Sequence, residues 1–145
     1  MKQITPDQLA RKLADECIAF RVRVLNRVVT NLYDAVLKPF GITVNQTTIL
    51  AMLTLAGEVT SGKIGRELSM EKSTVSRNLE RMRNNGWIET TDQGIRVTAA
   101  GRELFASLHP AWEQAQADAE RLLGGNGVGA IQDLHQTLRE ARHED

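Results

Sequence analysis

From about Pro6 to Val36 the chain carries two rows of apolar residues at three-and-four spacing. One holds Leu9, Leu13, Cys17, Phe20 and Val24, the other Ile18, Val22, Leu25, Val29, Leu32 and Val36. Such spacing predicts a long helix that is apolar on more than one side, ended by Pro39 and Gly41. A chain of 145 residues has material for one domain with a modest core. That core is too small to cover a helix apolar on two sides, so a second subunit is expected to help cover it.

Shorter elements follow. Thr43 to Gln46, "TVNQ", is a capping-box pattern in which the Thr hydroxyl and the Gln side chain each satisfy a free backbone N–H, and it opens a helix stopped by Gly57. Thr60 can cap a short helix bearing Ile64 and Leu68, and "SMEK" (69–72) is a tight turn into the next helix, a helix-turn-helix pattern. After Asn85 and Gly86, "WIETTDQGIRVT" changes to a two-residue period around Asp92-Gln93-Gly94, which predicts a small hairpin. From Thr98 a helical pattern runs through Leu104, Leu108, Trp112, Ala115, Ala119 and Leu122, with a kink expected at Pro110 and a break at Gly124, Gly125 and Gly127. A last helix, about Val128 to Arg142, places Val128, Ile131, Leu134, Leu138 and Ala141 on one face.

Composition narrows the function classes. The net charge is zero but unevenly placed: residues 1–59 hold seven Lys/Arg against five Asp/Glu, 60–98 again seven against five, and 99–145 four against eight. A slightly basic middle beside an acidic end is compatible with an anionic partner. No run approaches the roughly 18 apolar residues of a membrane span, and the start lacks the apolar core of a signal peptide, so a cytoplasmic location is expected. One cysteine and three histidines, His109, His135 and His143, offer no zinc spacing. Neither a Gly-rich phosphate loop nor "HExxH" nor a nucleophile elbow is present, so no enzyme, metal or cofactor is expected.

The stretch "SMEKSTVSRNLERMRNNGWIE" (69–89) carries the chemistry. On a helix Val75, Leu79 and Met82 share one face, and Ser73, Arg77, Arg81 and Asn84 share the opposite one. Small hydroxyls in the first turn let a helix start approach a surface closely, where its free N–H groups and positive dipole end favour phosphate. Arg77 and Arg81 can reach guanine edges bidentately or pair with the backbone. A solvated helix face would look similar in isolation, but a short helix upstream and a hairpin downstream complete a helix-turn-helix with a wing.

The segment "ITVNQTTILAMLTLAGEVTSGKIGRELSMEKSTVSRNLERMRNNGWIETTDQGIRVTAAGRELF" resembles the MarR family of bacterial transcriptional regulators, and the likeness extends to "CIAFRVRVLNRVVTNLYDAVLKPFGIT" and "LHPAWEQAQADAERLLG". It implies a mostly α fold: a winged helix-turn-helix at about 42–98, with a three-helix core and a short β-hairpin wing, flanked by long dimerisation helices at about 6–38 and 99–145, all within a single domain spanning 1–145. It also implies a homodimer on a pseudo-palindromic double-stranded DNA operator, acting as an effector-responsive repressor released by small aromatic or phenolic compounds. Carried onto this chain, the recognition helix is "STVSRNLERM", with Ser73, Thr74, Ser76 and Arg77 facing bases or phosphates, and Thr60, Ser61 and Lys63 near the backbone. The family's wing carries a longer loop with a minor-groove arginine; here the loop is "TTDQG" and Arg96 is the nearest base.

Other residues invite a role. Cys17, in an apolar row, reads as a small interfacial hydrophobe; its alternative, a redox-sensing thiol, has only the neighbouring Arg21 behind it. Trp112 backs either the core or a ligand pocket. Arg23 and Arg27, one turn apart, can meet an effector carboxylate or lie in salt bridges, while His109 has no partner at catalytic spacing and is given no role. A different class of function, a winged helix used for protein contacts through Ser73 to Asn84, is separated from DNA binding by salt dependence.

Overall fold

The computed structural model describes residues 3–143. Helix α1 (Pro6–Glu16) and helix α2 (Ile18–Leu37) are followed by a 3₁₀ turn, Lys38–Phe40, and then by α3 (Val44–Ala56), α4 (Ser61–Leu68) and α5 (Lys72–Asn84). Strands β1 (Ile88–Thr91) and β2 (Gly94–Val97) come next, then α6 (Ala99–Ser107) and α7 (His109–His143). The fold is mostly helical with one antiparallel hairpin, as the periodicities predict.

Threonine starts most of these helices. Thr43 accepts from the Gln46 N–H while the buried Gln46 side chain accepts from the Thr43 N–H, the reciprocal box that the sequence spells. A carboxylate oxygen of Asp34 on α2 accepts from the Val44 N–H at 2.7 Å, so the long helix helps to cap α3. Thr5 forms the same box with Gln8 at the start of α1, and the Thr60 and Thr98 hydroxyls accept from first-turn N–H groups of α4 and α6. The strands pair Ile88 with Val97 and Thr91 with Gly94 around the two-residue loop Asp92-Gln93, and Val59 adds a bridge to Ile95.

The core lies between Leu37 and Leu108. Ile49, Leu50 and Leu53 of α3, Ile64 of α4, Val75, Leu79 and Met82 of α5, and Ile88, Ile95 and Val97 of the hairpin are buried together. Trp87 and Phe105 pack against them. Gly101, in the first turn of α6, sits so close to β1 that a Cβ there would overlap the Trp87 carbonyl, which only glycine permits.

Three helix boundaries differ from the pattern of the sequence. The long first helix is two, because Cys17 has an extended backbone (φ −68°, ψ 117°) and joins α1 to α2. The Arg21 guanidinium donates to the Asp15 carbonyl beside that break. Near Pro110 the chain does not bend within one helix but stops and restarts: α6 ends at Ser107, Leu108 caps it, and Pro110 falls in the first turn of α7, where a missing N–H costs nothing. Of the three glycines expected to break the last segment only Gly124 leaves the helical region (φ 70°, ψ 167°). Gly125 and Gly127 continue the helix.

The apolar rows of the first helix are largely bare on this chain. Leu9, Leu13, Phe20 and Val24 are about half exposed, Ile18 is 78% exposed, and Leu134 and Leu138 on the far part of α7 are 64% and 62% exposed. No described helix is long and apolar enough to cross a membrane.

Candidate nucleic-acid interface

Helix α5 is fixed from below and open above. Val75, Leu79 and Met82 are 2%, 4% and 0% exposed, whereas Ser73, Ser76, Arg77, Arg81 and Asn84 are all exposed. Thr74 is half-buried, and its carbonyl accepts from the Asn78 side chain at 2.9 Å. The inner stripe therefore anchors the helix while the outer stripe faces solvent, as its three-and-four spacing requires.

The start of α5 differs from its neighbours. Its N-cap, Glu71, makes no side-chain cap, whereas α3, α4 and α6 each have a threonine hydroxyl on a first-turn N–H. The first-turn N–H groups of α5 are thus left at the positive end of the helix dipole for an outside acceptor. Among the described residues, Arg77, Arg81 and Lys63 form no ion pair.

Helix α4 supplies the flank. Thr60 accepts from the Lys63 N–H at 3.3 Å, and Ser61 and Lys63 stand exposed in its first turn. A groove of about 990 Å³ runs between α4, α5 and the hairpin; it brings Thr60, Ser61 and Ser76 together with Lys72, Arg83 and Thr91. Sequence reasoning passed over Lys72 and Arg83. The latter donates from Nε to the Thr90 hydroxyl at 3.2 Å, tying α5 to the wing.

Arg96 is engaged by its own chain. Its Nε donates to Glu89 Oε1 at 2.7 Å and its Nη1 to Glu58 Oε1 at 3.3 Å, while Thr91 donates to the other Glu58 oxygen. The hydrogen bond to Glu89 is the main cause of the guanidinium's raised pKa, with the Glu89 and Glu58 charges adding to it. A DNA contact by Arg96 has to compete with two carboxylates, and the loop tip beyond it offers Asp92 rather than a cation.

A second cavity, of about 560 Å³, lies where the end of α2, α3 and the α6–α7 junction meet. Tyr33, Leu37, Thr47, Phe105, His109 and Trp112 are on its wall, with no arginine or lysine among the lining residues. Trp112 is thus not core: it is 45% exposed and stacks on His109 with ring centroids 6.5 Å apart. The Tyr33 hydroxyl donates to Gln116 Oε1 at 2.6 Å, and burial, with the charge of Glu120 as a lesser cause, raises its pKa. Arg23 and Arg27 are exposed on the earlier part of α2 and do not line this cavity. Tyr33 is not singled out by the sequence reading, although it is the chain's only tyrosine, and His109, given no role there, stands on this wall. Cys17 is half-buried at the α1–α2 break, and no group of three or more metal-ligating side chains exists among the described residues.

A family model described as "MarR family" matches residues 40–94, which hold α3 to β1, the hairpin loop and the start of β2. The crystal structure of the Mycobacterium tuberculosis transcriptional regulator MosR superposes with a TM-score of 0.78 at 28% identity, covering 89% of this chain and 98% of MosR. Residues 40–94 thus resemble the MarR family, and nearly the whole chain shares the fold of MosR. A second MosR structure, in complex with DNA, aligns at a TM-score of 0.71 and 29% identity over 86% of this chain and 99% of that one. The curated relative YwoH of Bacillus subtilis, an uncharacterized HTH-type transcriptional regulator, is 32% identical over 63 residues. That match covers 43% of this chain and 46% of YwoH, so the likeness spans about half the length of the curated relative.

Proposed function

We propose that this chain is a regulator of the MarR type, binding DNA sequence-specifically as a homodimer on a pseudo-palindromic operator, with the whole chain acting as one domain. The observation that carries this reading is α5, buried along Val75, Leu79 and Met82 and open along Ser73, Ser76, Arg77 and Arg81. A relative of known structure, MosR, has been seen with DNA. In the proposed complex Ser73, Thr74 and Ser76 let the start of α5 approach the duplex, Arg77 reads a base edge or phosphate, and Thr60, Ser61 and Lys63 hold the backbone. Two such helices in successive major grooves stand roughly 34 Å apart.

Titration of operator and scrambled DNA at several salt concentrations tests the assignment. Arg77→Ala should weaken specific binding by about 1 to 3 kcal/mol per half-site and leave the thermal melt nearly unchanged, with Arg81→Ala weaker in effect. Lys63→Ala should weaken binding to all sequences alike and lower the salt slope by roughly one unit. An Arg77→Ala protein that binds operator like the parent would sink the recognition-helix reading in favour of a protein-contact module.

Ligand-responsive repression is the finer part of the reading, supported by the second cavity. Its wall has aromatic and hydroxyl groups but no arginine or lysine, which suits an uncharged aromatic compound better than the carboxylate that Arg23 and Arg27 suggest. Phenol-type compounds should quench tryptophan fluorescence in the parent and less in Trp112→Phe. Equal quenching in both removes Trp112 from the site.

A further inference from the structure

Beyond Gly124 the last part of α7 stands away from the rest of the chain: every residue from 130 to 142 is exposed. Among the described residues, Arg142 ties it back to the body by hydrogen bonds. Arg142 Nη1 donates to the carbonyls of Arg66 at 3.3 Å and Glu67 at 3.2 Å, and its Nη2 donates to the Ser69 hydroxyl. These acceptors close the end of α4. Carbonyls in a last helical turn lack intrahelical donors and sit at the negative end of the dipole, so a guanidinium fork suits them in charge and in shape.

The site touched by Arg142 is the turn that aims α5. Ser69 is the one non-glycine residue with positive φ among the described residues (φ 52°, ψ 43°). Its N–H bonds back to the Arg66 carbonyl, the Met70 N–H bonds to the Gly65 carbonyl, and α5 begins at Lys72. A rotation at this turn changes the angle of α5 directly. The arm that reaches it carries the bare apolar side chains Ile131, Leu134 and Leu138, which the proposed dimer would bury.

We propose that Arg142 is a positioning residue for DNA recognition, clasping the terminal arm to the turn before α5 so that the dimerising part and the recognition helix share one frame. The inference rests on the homodimer and DNA-binding readings above. Because Arg142 is exposed, its contacts act on the alignment of the two recognition helices in the dimer rather than on global stability.

The test uses full-length Arg142→Ala and Arg142→Lys proteins, operators with one base pair inserted or removed between half-sites, sedimentation, and hydrogen exchange of the free proteins. The parent should favour one spacing sharply. Arg142→Ala should remain a dimer with an unchanged melt, lose about five- to tenfold on the best operator, the size expected of one exposed contact per protomer, and discriminate less between spacings. Arg142→Lys, with a point charge in place of a fork, should fall between the two. Exchange should quicken at the Ser69 and Met70 amides in Arg142→Ala. Unchanged spacing preference with unchanged exchange overturns the proposal, as does a variant that loses operator binding because it no longer dimerises. Should the parent bind no DNA, the functional reading fails separately and exchange alone decides: faster exchange at Ser69 and Met70 supports the clasp, and parental rates overturn it.

Discussion

The two halves of this molecule bury their apolar residues very differently. Between Leu37 and Leu108 the large side chains close on one another, and Ile49, Leu50, Ile64 and Met82 are essentially sealed from solvent. In α1, the first half of α2 and the far part of α7, residues of the same kind stand open: Leu13 is 47% exposed, Phe20 50%, Val22 56% and Leu134 64%. A scatter of single exposed hydrophobes is ordinary, but rows of them at helical spacing on separate helices are the mark of a surface meant to be covered. The winged half contains its own core; the arms carry the apolar rows that the proposed dimer would cover.

The largest expected effect breaks this contrast at the arm. Leu134→Glu combined with Leu138→Glu places two charges where the proposed dimer is apolar, and should raise the dimer dissociation constant about a hundredfold or more. Sedimentation reads the loss, and circular dichroism should show the helices of the winged half intact. A dimer of parental strength would mean that these faces are not its interface.

Within the winged half, Leu50→Ala should cost about 2 to 5 kcal/mol by denaturant unfolding, because it empties a sealed position. Leu55, on the same helix but 89% exposed, should tolerate alanine within about 0.5 kcal/mol. Similar losses at both positions would mean that Leu55 is covered in solution. Caps sharpen the comparison further, since Thr43 and Thr5 form the same reciprocal box in different halves. Thr43→Ala should cost about 1 kcal/mol in unfolding. Thr5→Ala should shift the midpoint of the winged half very little, because α1 has no buried residue.

The smallest effect lies at the junction. Burial, with Glu120 as a lesser cause, lifts the Tyr33 phenol above its ordinary 10.0. With the folded pKa above the unfolded one, its contribution to stability is whole below about pH 10 and drains away as pH rises through the folded value. Tyr33 is the chain's only tyrosine, so absorbance titration of phenolate isolates it: the native protein should titrate at higher pH than the protein in urea, and Glu120→Gln should lower the native value only in part.

Local patterns announced what local physics decides. The buried stripe of α5, the Thr43–Gln46 box, the Thr60 cap and the two-residue hairpin loop can each be read from a few neighbouring residues, because spacing and capping chemistry are written over short distances. What was missed depends on partners far apart in the chain. Arg96 has the look of a free wing cation until Glu58 is brought to it, and Tyr33 gains its place only when Gln116 and Trp112 arrive from α7. The break at Cys17 involves neither proline nor glycine, so no local breaker marks it. Nor does spacing distinguish Gly124 from Gly125, although one turns the chain and the other does not.

The seat of Gly101 has a mechanical consequence. Pressed against the Trp87 carbonyl and the Val97 side chain, the first turn of α6 and the base of the hairpin have no gap between them in which to slide. The hairpin is in turn stitched to α5 through Arg83 and Thr90 and to the α3–α4 connection through Val59 and Ile95. A push on the first turn of α6 therefore meets the hairpin and, through it, α5 by direct contact rather than across slack.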